Sequence, residues 1–183
     1  MRATTIFLTV LLALTTVASG AYAVATGEHA MVKLTEIDGR TLSTGDGVVT
    51  TLVLTTRPES NKAHQVGDRT PVRCLGNPKY RMVTVVQFSK STSGTVRYLL
   101  TKLALSRINS EAKDLKPRYR AKNLTTDPRQ DIHVVFDFDG GVASQLGLKE
   151  SGTFKVFVFG PDGTLRRQWT TVPEAQELDA ALQ

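Results

Sequence analysis

Polar and apolar positions along the chain fall into several short runs of period two and one long stretch of helical period. Met31 to Ile37 alternates apolar with polar residues and runs into Asp38-Gly39, with Thr41-Leu42 beyond. This predicts a strand, a tight turn and a return strand. Val48 to Thr56 is rich in β-branched residues, the composition of a strand buried on both faces, and Pro58 stops it. Asn61 to Leu75 reads as a helix weakened by Gly67 and Pro71. Asn77-Pro78 then signals a turn before a second central strand, Tyr80 to Phe88. Ser91-Thr92-Ser93 offers an N-cap for the long stretch. In it Val96, Leu99, Leu100, Leu103, Ala104, Ile108, Ala112 and Leu115 recur at spacings of three and four, one apolar stripe on a helix that Pro117 closes.

Lys116 to Gln130 is polar and twice interrupted by proline, so it reads as a loop. Ile132 to Phe138 is a third strand, Gly141 to Leu146 a short helix and Phe154 to Phe159 a fourth strand. Pro161-Asp162-Gly163 turns the chain into Leu165 to Thr170, and Pro173 to Leu182 forms the closing helix. Strands flanked by helices, with an antiparallel hairpin at one edge, predict an α/β protein with a mixed sheet of four to five strands. No repeat or linker divides residues 31–183, which are expected to form one domain.

The first residues have a different character. Arg2 precedes an apolar run from Ile6 to Leu14, and small residues follow at Ala18-Ser19-Gly20 and Ala21-Tyr22-Ala23. That is the pattern of a secretory signal peptide over residues 1–23, cut after Ala23 or alternatively after Gly20. Residues 24–30 are expected to be a flexible leader. Export to a periplasmic or extracellular compartment follows, with no transmembrane segment once the signal is removed. Cys74 is the single cysteine, so no intramolecular disulfide forms. It stands as a buried small hydrophobe, an intermolecular link or a reactive thiol.

Net charge is +6, unevenly spread. Arg57 to Lys122 holds 15 Lys and Arg against 4 Asp and Glu, whereas the flanking segments are acidic. On the long helix, the face away from the apolar stripe is expected to carry Arg97, Lys102, Arg107 and Lys113, candidates for an anionic surface or a protein partner. Nucleic acid is disfavoured, because Tyr80, Tyr98 and Tyr119 are too dispersed to make a stacking platform. His29, His64 and His133 lack ligand spacing, so neither a metal nor another cofactor is expected. No Gly-x-Ser-x-Gly elbow supports a hydrolase. Asn123-Leu124-Thr125 is a glycosylation sequon that matters only in a eukaryotic host.

Two resemblances bear on the job. The tract Asp137 to Leu148 followed by Phe154 to Gly163 resembles the second half of a thioredoxin-like domain of the peroxiredoxin and exported thiol-disulfide reductase type. It is also similar to the small periplasmic group typified by YtfJ, which lacks Cys-x-x-Cys. The resemblance implies a three-layer α/β/α domain whose redox loop opens the helix after the first central strand, where the helix N-terminus lowers a thiol pKa. In this chain Arg57, Pro58, Glu59, Ser60 and Asn61 stand there, and dithiol exchange lacks its sulfurs. The resemblance further implies a cis-proline just before the strand Phe154 to Phe159, a place taken here by Thr153 and Phe154. Arg69 and Arg73 lie near Cys74 and favour its thiolate, while a place at the far end of the first helix disfavours it. The expectation is an exported, non-catalytic, thioredoxin-like binding or accessory protein. Its alternatives are a one-cysteine redox protein using Cys74 and a binder of anionic surfaces through the basic helix face.

Val134 to Gly140 also resembles the opening motif of haloacid-dehalogenase-type phosphatases, with Asp137 as nucleophile and Asp139 as acid. Only 44 residues follow Asp139, too few for the rest of that fold, and both aspartates are expected to be strand-end turn residues.

Overall fold

A run of β-branched residues without charge has no face that suits water, and Val49–Thr56 (β3) accordingly lies at the centre of the sheet with seven of its eight residues buried. The computed structural model describes residues 23–88, 92–148 and 152–183; the signal peptide expected over residues 1–23, Ala23 apart, and Ser91 of the expected N-cap lie outside them. Around β3 the chain runs β1 (Lys33–Thr35), β2 (Thr41–Ser43), α1 (Ser60–Arg69), β4 (Tyr80–Gln87), α2 (Gly94–Ala121), β5 (His133–Asp137), α3 (Gly141–Gln145), β6 (Lys155–Phe159), β7 (Leu165–Trp169) and α4 (Ala175–Ala181). Single 3-10 turns occupy Val72–Cys74 and Pro128–Asp131.

The sheet order is β5-β4-β3-β6-β7. β3, β4 and β5 are parallel neighbours, while β6 and β7 run antiparallel. The mixed α/β sheet is therefore as expected, with five strands. Alternation along the strands divides the core in two. Leu52, Leu54, Val83, Val85, Val135, Phe157 and Phe159 face Val32 and Leu34 of the first hairpin and Val142 and Leu146 around α3. On the other face Val53, Val156 and Val158 meet Ala63 and Val66 of α1, Cys74, Phe154, and Leu178, Ala181 and Leu182 around α4. The β1–β2 ribbon is anchored to β5 by Glu36, whose Oε1 lies 3.0 Å from His133 Nδ1 and whose other oxygen lies 3.1 Å from Arg40 Nε. A buried carboxylate needs such partners.

Three expectations are corrected. Residues 24–30 are not a free leader: Gly27 donates to Leu165 O (2.8 Å), Leu165 donates to Glu28 O (2.8 Å) and Ala30 donates to Gly163 O (2.9 Å). The edge strand β7 leaves backbone groups open, and this segment takes them up. The docking needs Gly163, whose φ of +87° brings the hairpin turn against Ala30 and Gly45.

Pro117 does not close α2, which runs on to Ala121. Pro117 lies on the exposed side, so the Lys113 carbonyl that loses its donor turns to water. The turn beyond it is held by Tyr119, buried and donating its hydroxyl to Asp131 Oδ2. Asp131 also accepts from Gly76 N at 2.6 Å, tying the end of α2 to the loop after α1.

Nor is the apolar stripe of α2 one buried face. Ile108, Ala112 and Tyr119 are buried, but Val96, Leu99 and Leu103 are 45–68% exposed. At about 100° per residue, Leu99 points 180° away from Ile108, so the spacing of three and four drifts across the helix over this length.

Tyr119→Phe removes a hydrogen bond to a carboxylate and leaves Asp131 half-satisfied, and it should cost about 1.5–3 kcal/mol of stability in urea unfolding. A loss under 0.5 kcal/mol would mean that Tyr119 does not hold the extension of α2.

Candidate functional site

The parallel strands β3, β4 and β5 end together, and each ends on a polar residue after an apolar run. Their register pairs Thr56 with Gln87 and Gln87 with Asp137, forming a polar row that continues the face lined by Leu54, Val85 and Val135. Crevices outside the carboxyl ends of parallel strands are the usual ligand position in open α/β sheets. Gln87 is only 4% exposed. Its Oε1 accepts from Gly152 N at 3.0 Å, which fixes the amide orientation and leaves Nε2 without a partner among the described residues. Asp137 Oδ2 accepts from Ala143 N at 3.2 Å and holds the start of α3.

The loop Arg57 to Asn61 leaves from this row. Arg57 and Pro58 are exposed, Glu59 sits at the N-cap and pairs with Lys62 at 2.6 Å, and Ser60 and Asn61 begin α1. Glu59 sets a carboxylate against the N-terminus of α1, and Asp139 sets one against Arg97 in the first turn of α2. Thr153 and Phe154 lie directly before β6, joined by a trans peptide. Phe154 is buried in the core on the α1 face, with Lys62 Nζ 5.4 Å from its ring centroid. Beside it, at the start of β6 and the end of β7, Lys155, Gln168, Trp169, Thr170 and Thr171 line an open pocket of about 320 Å³.

On the sheet face opposite the polar row, the same side as α1, Phe88, Phe136 and Phe138 form a cluster with centroids 4.6–5.5 Å apart. Arg97 lies 4.7 Å above the Phe138 ring and pairs bidentately with Asp139 at 2.6 and 3.0 Å. That guanidinium holds the Asp139 carboxyl below the usual carboxylate range. Asp137 and Asp139 thus engage different partners, as strand-end residues do, rather than converging on one ligand.

The basic candidates on α2 are not brought together. Taking Ile108 as the inward direction, Arg97 falls at about 340° and Arg107 at about 260°, but Lys102 and Lys113 at about 120–140°. Arg97 is held by Asp139, and Arg107 lies 3.9 Å from Glu111. Lys102 and Lys113 are exposed.

Cys74 lies in the 3-10 turn after α1, buried in the core on that face. Burial pushes its thiol pKa up; Arg73 pulls it down, Asp179 raises it and Lys122 lowers it, leaving a net rise. The neighbouring arginines are engaged by α4 and the segment before it: Arg73 pairs with Asp179 of α4, and Arg69 donates to Pro173 O at 2.7 Å and Val172 O at 3.3 Å.

Sequence reading passed over Thr56 and Gln87 because both look like ordinary strand positions. Polar residues closing three apolar runs in succession were the available signal.

A comparison with protein-family models and with curated protein sequences gives no match. Solved structures do match. The exposed lipoprotein thioredoxin Etrx1 of Streptococcus pneumoniae superposes with a TM-score of 0.50 at 17% identity, over 84% of this chain and 98% of that one. A DsbF homologue from Corynebacterium diphtheriae gives 0.53 at 12% identity, over 88% and 90%. The thioredoxin domain of a thiol-disulfide oxidoreductase from Bacteroides vulgatus gives 0.50 at 10%, over 87% and 96%. The chain has the thioredoxin-like fold. The loop Arg57 to Asn61 joins the central strand β3 to α1. The likeness reaches the fold and does not single out the smaller periplasmic group.

Alkylation of Cys74 in the folded chain should be slower at every pH from 7 to 9 than in urea, with an apparent pKa above the roughly 8.5 of a free thiol. A value below 8 would restore a reactive cysteine. The linkage has a definite sign. The thiol holds its proton more tightly when folded, so its stabilising contribution is present below the unfolded pKa and fades as pH rises through the folded one.

Proposed function

We propose that this chain is an exported, non-catalytic thioredoxin-like protein that binds a protein partner along the carboxyl edge of its sheet. One observation carries the reading: Arg57-Pro58-Glu59-Ser60-Asn61 occupies the start of α1 with no sulfur, while the single thiol, Cys74, is buried at the far end. Dithiol exchange needs a thiolate, a resolving thiol and access to both. The edge retains what a binding role uses. Arg57 is exposed, Gln87 keeps an Nε2 donor unpaired among the described residues, and the pocket at Trp169 lies beside Phe154. Export is supported by the pattern of residues 1–23, and among the described residues no helix is long and apolar enough to cross a membrane. The burial of Cys74 weighs against the one-cysteine alternative.

Insulin reduction by dithiothreitol should proceed at the same rate with and without the chain, and Cys74→Ala should change nothing. Acceleration lost in Cys74→Ala would overturn the non-catalytic reading. Trp169 is the only tryptophan, so its emission reports on the edge directly. Titration with reduced, carboxymethylated lactalbumin, an unfolded-polypeptide probe, should shift it saturably, and Arg57→Ala should weaken the effect; an unchanged spectrum would remove the edge as a protein-binding site. For export, the chain recovered from the periplasm of a bacterial host should begin at Val24 or Ala21, whereas retention of Met1 in the cytoplasm would contradict it.

A further inference from the structure

Extending α2 through Pro117 makes a surface that the sequence reading divided between a helix and a loop. Lys116 and Arg120, counted there as loop residues, are helical. Relative to Ile108 they point to about 80° and 120°, alongside Lys102 at about 120° and Lys113 at about 140°. All four are exposed, and none forms an ion pair among the described residues. They make a ridge spanning 18 helical positions, about 27 Å at 1.5 Å per residue.

N-terminal to this ridge, and turned toward about 180–240°, lies the exposed apolar stripe of Val96, Leu99 and Leu103. Ridge and stripe together cover the outward side of α2, and Ser106, exposed at about 160°, lies between them. From Gly94 to Ser110 the helix has no carboxylate. Beyond that, Glu111 faces Arg107 and His64, and exposed Asp114 lies at the outer flank, at about 240°. At the rim, Lys102 Nζ lies 5.5 Å from the Tyr98 ring centroid.

The occupant follows from charge and area. A second copy packed stripe to stripe would leave the cations C-terminal to the stripe without a partner. Three aliphatic side chains offer at most a few hundred Å², short of the roughly 800 Å² per partner in a standard protein–protein interface. Exposed aliphatics beside unpaired cations on a convex helix suit a surface that takes both, the boundary of an anionic bilayer. A soluble polyanion such as nucleic acid would leave the stripe unused.

We infer that the outward face of α2 docks this protein on membranes rich in anionic lipid, with Lys102, Lys113, Lys116 and Arg120 on the headgroups and Val96, Leu99 and Leu103 entering the acyl boundary. This surface is separate from the carboxyl edge and stands whether or not that edge binds a partner.

The test uses the full chain carrying Cys74→Ala and an environment-sensitive fluorophore on Ser106→Cys, which reports on α2 itself rather than on the apolar N-terminal segment. Vesicles of phosphatidylcholine with equal phosphatidylglycerol should raise and blue-shift its emission, and pure phosphatidylcholine should not. Neutralising all four cations to Gln should weaken the anionic partition on the order of 500-fold, about fivefold per charge. Raising salt from 0.05 to 0.5 M should weaken it too, by screening. Leu103→Ser, with the cations intact, should lessen the blue shift; circular dichroism confirms that each variant is folded. An equal response on neutral vesicles, a response that survives neutralisation of the cations, or binding to duplex DNA with no response on vesicles would overturn the inference.

Discussion

The structure depends on the two-sided burial of β3. A central strand with parallel and antiparallel neighbours on its two edges must be covered on both faces, and its alternating side chains assign each covering element to one core. The first hairpin and α3 cover one face, α1 and α4 the other. Because β3, β4 and β5 run parallel, their carboxyl ends fall on one edge. The polar row, the start of α1 and the segment before β6 gather there for that reason rather than through contacts of their own.

The start of α1 lies on the carboxyl edge and carries no sulfur. In the thioredoxin-like arrangement the start of α1 suits an anion, since its N–H groups point outward. Here Arg57 and Glu59 occupy it, and the nearby segment before β6 places Phe154 in the core. Gln87 has a buried amide that accepts from Gly152 and leaves one donor without a partner among the described residues. Unpaired buried donors are rare because each carries the full desolvation penalty.

How much was legible depended on range. β3, β4 and the hairpin at Pro161-Asp162-Gly163 were read from local pattern, since alternation, β-branching and turn residues act within a few positions. The α/β class followed from their order. Cys74 could be read both ways, because Arg69 and Arg73 are near it in sequence, whereas α4 and the segment before it engage them from about a hundred residues away. The row Thr56, Gln87 and Asp137 has no sequence signature beyond three polar strand ends.

By itself the sequence determined which segments are strands and helices, that no dithiol stands at the start of α1, and that the middle of the chain is basic. Those are properties of single residues or of short-range periodicity. Only the tertiary structure decided that residues 24–30 dock on β7, that burial of Tyr119 carries α2 past Pro117, and that the apolar residues of α2 divide between core and solvent. Each of these rests on contacts between separate elements of the fold. Local rules assigned Pro117 to a helix end and the apolar stripe to a core, and the tertiary contacts overruled both.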